Sequence, residues 1–492
     1  MSLRPASLQP IPFKEKLMQP RRIILWLVVL FLLVVAAVAV YLAIKPHVSA
    51  PGLSDLAPLP LDGHKRILIL APHCDDETLG SAGLIQEALR KNIQVRVVIA
   101  TNGDGFLFAT IGDFHRFYPT HADFIRMGNL RQQESLAAMQ VLGLRPEQVT
   151  FLSYPDRGTS SLWNDHWSAK SPYRSPYIGD HKSPYPITYN PKSVYAGEDY
   201  LADLQSILAS YRPDLIIYPH PNDIHPDHWG LSAFTRLAVA LLEKTDPSYR
   251  PDMYAYLVHR PDFPIPMGLL PNNSLLPPAL LYDIYPDWWR LDLSQNDTAI
   301  KGQAVLQYKS QLPLLRKLLD SFIRKNELFA QPQPATLADL SLGDPHNPAS
   351  WQDANGQAIP PIQKDPTQDF FTRDAVTAAD LVAAYAARTS ENSLVICGQV
   401  RKSADSPLSY TLRLLAVGSQ GVVHRTYKNH TTRNEYRTTL SGVYFCGSEA
   451  FSDLGNPWLI FVGADVEEVG VGILDQIAWQ QVDVEPGPGS GK

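Results

Sequence analysis

Arg66-Ile-Leu-Ile-Leu-Ala-Pro-His-Cys-Asp-Asp-Glu-Thr-Leu-Gly80 joins an apolar run directly to a cluster of titratable side chains. The unbroken run Ile67–Ala71 is the pattern of a strand buried on both faces of a parallel sheet. It ends at His73, Asp75 and Asp76, just before a helix expected from about Thr78. In open α/β sheets, ligands bind in the crevice beyond the carboxyl ends of the strands. One of the two aspartates can serve as a helix cap. A cap explains neither the second carboxylate nor the histidine beside it.

A second cluster repeats the arrangement. Pro213–Pro221 is another strand-like run, followed by Asn222-Asp223-Ile224-His225-Pro226-Asp227-His228 and a helix from about Trp229. Two strand-end clusters rich in His and Asp are best explained by one shared site. A catalytic zinc ion takes three protein ligands and keeps an open position. His73, Asp76 and His228 meet that requirement. Two histidines and one carboxylate also suit ferrous iron, the alternative metal.

These two clusters resemble the motifs of the PIG-L/LmbE-like family of zinc-dependent N-deacetylases, Pro-His-Pro-Asp-Asp-Glu and His-Pro-Asp-His. The resemblance runs from about Arg66 to Phe329. It implies that His73, Asp76 and His228 are the zinc ligands and that Asp75 is the general base. It further implies that His225, as an imidazolium, stabilises the oxyanion and that Asp227 orients an imidazole. Arg131, Glu134 and a helix through Lys301, Tyr308 and Gln311 also fit the family. Cys74 departs from it, standing where the family has proline; the exchange is expected to loosen the turn and to bring a thiol beside the metal.

Alternating strands and helices imply an α/β, Rossmann-like, mostly parallel sheet with helices on both faces, over residues 63–329. Arg131–Gly143 has helical spacing, and Gln94–Thr101 is a second buried strand. That strand ends in Asn102-Gly-Asp-Gly105, where Asp104 reads first as a turn residue and second as a crevice residue. Between Asp156 and Gly197 the pattern breaks into a long loop with Trp163, Trp167, Tyr189 and Tyr195, which either stack on sugar rings or pack the loop onto the domain. Residues 330–375 read as a linker or extended segment. Residues 376–484 read as an all-β, sandwich-like module, and 485–492 as a disordered tail. His259 ends a strand-like run and is left out of the metal shell.

The address is read at the N-terminus. Ile23–Ile44 is a 22-residue apolar run, about the length of a transmembrane helix. Arg4, Lys14, Lys16, Arg21 and Arg22 precede it, against Glu15 alone, so residues 1–22 are expected in the cytoplasm. A tether over 45–62 then leads to a periplasmic or extracellular catalytic domain. A cleavable signal peptide is the rival reading, with a site near Ala50. Of the net charge of −6, the first 22 residues carry +4, leaving −10 on the exported body. That balance argues against nucleic acid as a partner. Cys397 and Cys446 either pair, as an oxidising compartment allows, or remain buried thiols.

The expected function is therefore a membrane-anchored, exported zinc hydrolase that removes N-acetyl groups from N-acetylglucosamine-type sugars or envelope glycans. Its partners are that N-acetylated substrate and the membrane. Two other readings are a non-catalytic glycan-binding protein tethered to the membrane and an amide hydrolase acting on a small amine-bearing conjugate.

Overall fold

A computed structural model describes residues 51–367, 376–404, 407–431 and 437–484. Successive strand side chains point to opposite faces, and the apolar run after Arg66 uses both. Ile67 and Ile69 enter one core cluster, whereas Leu68 and Leu70 enter another on the opposite side of the sheet. All four are fully buried. Each stabilises the fold by about 1.5–3 kcal/mol relative to exposure.

The first region contains strands β1 (Ala57–Pro58), β2 (Arg66–Ala71), β3 (Gln94–Thr101), β4 (Val149–Tyr154), β5 (Leu215–Pro219), β6 (Asp252–Tyr256), β7 (Trp288–Asp292) and β8 (Asn326–Ala330). Its helices are α1 (Asp76–Arg90), α2 (Leu107–Phe114), α3 (His121–Val141), α4 (Thr159–Asn164), α5 (Gly197–Tyr211), α6 (Pro226–Thr245), α7 (Ala279–Tyr282), α8 (Gln295–Val305) and α9 (Leu312–Asp320). The sheet order is β1-β7-β8-β6-β5-β2-β3-β4. Pairings among β2 to β6 are parallel, while β8 runs antiparallel to both β6 and β7. The sheet is mostly parallel, as expected, with β8 the antiparallel strand within it. Residues of α1, α3 and α8 cover one face, and residues of α5 and α6 the other.

The segment after β8 is woven into the C-terminal sheets. Ala335–Thr336 pairs with Val482–Asp483, Ala338–Asp339 with Ala387–Arg388, and Gln363–Lys364 with Ala383–Ala384. Two β-sheets follow, and their facing side chains, among them Ile396, Phe445, Leu412 and Ile460, form a shared core. Cys397 and Cys446 lie opposite each other on paired strands and form a disulfide.

The second face of one C-terminal sheet packs on the α/β region, and the two belong to one compact unit. Trp163 of α4 meets Phe234 edge-on at 4.9 Å, Phe461 at 5.4 Å and Trp479 at 5.6 Å. Arg236 donates to the Trp479 carbonyl at 2.6 Å. Trp163 and Tyr195 are buried, and Trp167 lies parallel to Phe234. These aromatics of the Asp156–Gly197 loop are therefore packing residues, because burying their large rings joins two sheets. Tyr189, 38% exposed, stays at the surface.

Among the described residues no helix is long and apolar enough to cross a membrane. The Ile23–Ile44 run lies outside the described residues, as do 1–22 and 485–492.

Two measurements test this account. Protein produced in an oxidising compartment and unfolded without reductant should titrate one thiol, Cys74, and three after reduction; three without reductant would remove the disulfide. Lys301 donates to Glu327 at 2.7 Å, and both are buried. Lys301→Met should lower the unfolding free energy by about 3 kcal/mol in denaturant melts, because it leaves the buried Glu327 carboxylate without its cation, held only by Gly83 N and Leu84 N.

Candidate metal centre

The turn after β2 is braced from behind by Glu77. Its buried carboxylate accepts from Asp75 N at 3.0 Å, Ser135 Oγ at 2.6 Å and Tyr308 Oη at 2.8 Å. Arg131 ties the same turn to the end of β3, donating to Cys74 O at 2.8 Å and Gly103 O at 2.9 Å. Gly103 has φ 62°, and a Cβ there would overlap that guanidinium, so the position needs glycine. Glu134 accepts from Ser310 N and Oγ at 2.8 and 2.7 Å. Arg131 and Tyr308 thus support the turn, and Glu134 anchors the segment that carries Tyr308. The helix expected through Gln311 ends at Val305, and Tyr308 is reached through turns.

Asp75 occupies the N-cap of α1 but makes no side-chain cap bond. Its φ of 153° is strained for a residue with a Cβ. Burial pushes its carboxyl up to about 7, against the pull of Arg131, whose nearest nitrogen is 3.4 Å away. Cys74 is fully buried in the core cluster, and burial raises its thiol well above the usual range. It is a core side chain rather than a thiol at the metal; raised and buried, it is chemically quiet.

The two motifs meet at one oxygen. Asp76 Oδ2 lies 3.1 Å from His73 Nδ1 and 3.1 Å from His228 Nε2, and the two nitrogens are 3.3 Å apart. Ligands about 2.0–2.1 Å from a tetrahedral metal are separated by about 3.3 Å, so the three atoms are already spaced as one face of such a site. Asp76 Oδ1 is buried without a hydrogen-bond partner.

Each imidazole turns its other nitrogen to a carboxylate. His73 Nε2 lies 3.2 Å from Asp227 Oδ2 and 3.4 Å from Asp156 Oδ1, and His228 Nδ1 lies 3.0 Å from Asp223 Oδ2. Such partners fix ring direction and raise ligand basicity at metal sites. Burial disfavours charge on both histidines. Even so, Asp156, Asp227 and Asp76 hold His73 well above its ordinary value, and Asp223 and Asp76 lift His228 to about 9. The centre draws in positive charge, which a metal ion provides while releasing those protons. The residues fit a divalent metal.

His73, His225 and Asp227 form a second possible ligand group. Asp227 is the poorer ligand, since its oxygens already accept from Arg157 N at 2.6 Å and Thr159 N at 2.9 Å. Those bonds suit it to orienting His73. His225 caps α6, its Nδ1 accepting from Asp227 N at 3.3 Å. Burial and the neighbouring histidines hold it well below its ordinary value. In place of the expected imidazolium, this geometry gives a neutral ring with its proton on Nε2.

Four residues enter the site that the sequence reading gave no part in it or ranked low there. A ring nitrogen of His259, which the sequence alone places outside the shell, lies within 4.8 Å of the ligand atoms of His73, Asp76 and His228. Asp156 bonds to Gly105 N at 2.7 Å and faces His73. Asp104 is buried, accepts from Tyr185 Oη and is pushed to about 7 by burial and by Asp156. It sits in a turn, as first expected, with its carboxylate buried close to that of Asp156. Asp223 stood in the second motif without a role. The signal available for all four was a place just beyond a strand's carboxyl end.

Residues 68–239 match the family model described as PIG-L, GlcNAc-PI de-N-acetylase. They are a PIG-L family domain. Similar curated proteins include a 1D-myo-inositol 2-acetamido-2-deoxy-alpha-D-glucopyranoside deacetylase of Mycobacterium sp. (strain KMS), 29% identical over 206 residues, which are 41% of this chain and 56% of that protein. One of Corynebacterium glutamicum (strain R) is 24% identical over 180 residues, 35% and 52% of the two chains. This chain spans about half the length of the curated relatives it matches. Among solved structures, an N,N'-diacetylchitobiose deacetylase from Pyrococcus horikoshii is similar over 55% of this chain and 84% of its own, at 17% identity and TM-score 0.35.

The carboxylates behind the PIG-L histidines give a measurable expectation. Asp223→Asn and Asp227→Asn should each weaken zinc binding by about 10–100-fold in chelator competition, whereas His228→Ala should abolish stoichiometric binding. Wild-type affinity in both Asn variants would show that these carboxylates do not orient the ligands.

Proposed function

We propose that this chain is a metal-dependent N-deacetylase acting on N-acetylated amino sugars. The observation that carries the reading is the triangle of His73 Nδ1, Asp76 Oδ2 and His228 Nε2, with the uncapped, buried Asp75 beside it. The deacetylase names of the relatives support the reaction class and the sugar. His73, Asp76 and His228 would hold zinc. When bound, zinc supplies Lewis acidity toward a carbonyl oxygen and makes water acidic enough to ionise near neutral pH.

The chain's own residues handle the protons. Asp75 accepts the proton of the attacking water at a carboxylate oxygen and returns it to the departing nitrogen. A carboxyl poised near 7 suits both halves of that exchange. Arg131 holds Asp75 in place through the turn backbone. His225 points a neutral Nε2–H donor toward the acetyl oxygen, where negative charge develops. Asp227 keeps the His73 ring from turning.

We place this chemistry outside the cytoplasm, on a chain anchored by Ile23–Ile44. The disulfide between Cys397 and Cys446 supports an oxidising compartment.

Acetate release from N-acetylglucosamine and its conjugates tests the proposal. Asp75→Ala should fold, bind zinc and lose at least about a hundredfold in kcat, the scale of a general base. Wild-type turnover in that variant would sink the mechanism.

A further inference from the structure

The loop Asn222–Pro226 that carries the second motif has two sides. One side bears the metal centre. Against the other lies a cleft of ≈ 370 Å³, closed by the C-terminal β-sheets. Asn222, Ile224 and Trp229 line it from the PIG-L domain, and Arg413, Asp465 and Gln476 from the β-sheets. Asp223 reaches both sides: it lines the cleft, and its Oδ2 stands 3.0 Å from His228 Nδ1. A single loop therefore separates the cleft from the metal ligands. Ile224, 52% exposed, forms part of its crest.

The lining combines planar hydrogen-bonding groups with apolar surface. Amide, carboxylate and guanidinium groups stand beside Ile224, Trp229 and Ile473. Fixed donors and acceptors around an apolar floor suit a ring that carries hydroxyls at its edge and C–H groups on its faces. The size falls in the range of about 300–1,000 Å³ typical of small-molecule sites. Two wall residues also have unmet hydrogen-bonding capacity. Oδ1 of Asn222 and Oδ1 of Asp465 are buried with no partner, although Asp465 Oδ2 accepts from Arg413 at 2.7 Å. The walls are also held firmly together, since the Trp163–Trp479 contact and the Arg236–Trp479 bond lock the β-sheets to the domain.

We propose that this cleft is a saccharide subsite. The substrate is then an oligosaccharide that crosses the loop at Ile224, with its N-acetyl group at the metal centre and a neighbouring sugar in the cleft. The β-sheets select for chain length. This inference rests on the deacetylase reading and narrows its substrate.

The test compares N-acetylglucosamine with its β-linked tetramer as substrates for the full chain. Wild-type protein should prefer the tetramer in kcat/KM. Gln476→Ala should reduce that preference about fivefold, the scale of one lost hydrogen bond, through KM rather than kcat. The exposed Ile473→Ala is a second variant that does not threaten folding. Tetramer binding by calorimetry, in an Asp75→Ala background, should weaken by the same factor. Equal rates on both substrates, or an unchanged preference in both variants, would overturn the subsite while leaving the deacetylase reading intact. Acetate release from neither substrate, with tetramer binding still sensitive to Gln476→Ala, would overturn the deacetylase reading and keep the subsite. No tetramer binding at all would overturn the subsite.

Discussion

One carboxylate oxygen holds this protein's chemistry together. Asp76 Oδ2 sits between His73 Nδ1 and His228 Nε2 and also accepts from His73 N at 3.0 Å. It thereby joins the turn after β2 to the turn after β5, loops more than 150 residues apart in sequence. A fully buried carboxylate is costly without charged partners. Here two imidazoles and the first turn of α1, whose dipole favours anions, make it stable. Glu77, Arg131 and Tyr308 exist to keep that turn closed, and Asp223 and Asp227 keep the two rings aimed at it.

Neighbouring aspartates in the site acquire different properties from their partners alone. Asp76 has imidazoles on either side and is held well below the ordinary carboxylate range against burial. Asp75, one residue earlier, has only the Arg131 guanidinium at 3.4 Å to offset its burial and is pushed up to about 7. Asp227 has backbone donors on both oxygens and is fixed in place. The ligand, the proton carrier and the orienting group of the proposed mechanism are thus one residue type, separated by what each touches.

The C-terminal sheets are part of the same body as the catalytic sheet. One face builds the shared core of the β-sheets, and the opposite face of one sheet meets α4 and α6. Trp163 links them, which explains why a tryptophan-rich loop follows β4. Its rings are held where two apolar surfaces need a filler, and the exposed polar seam beside them becomes a cleft. In the proposed reading, a cleft built by both regions lets the β-sheets influence substrate choice without contributing to the reaction.

The sequence by itself determined the buried parallel strands, because a run apolar on both faces fits only a covered sheet, and the two ligand-bearing turns, because strand ends place their side chains in the crevice. His73, Asp75, Asp76, His225, Asp227 and His228 were legible for that reason, and they do converge. Tertiary structure alone decided the rest. His259, Asp156 and Asp104 each lie beyond a different strand, and nothing local in their spacing says that those strand ends share a crevice. The tryptophans read either as a sugar platform or as packing, since an aromatic ring buries or binds according to what stands opposite it. Cys397 and Cys446 paired because strand register set them opposite each other, a fact of hydrogen-bonded alignment that no distance along the chain encodes.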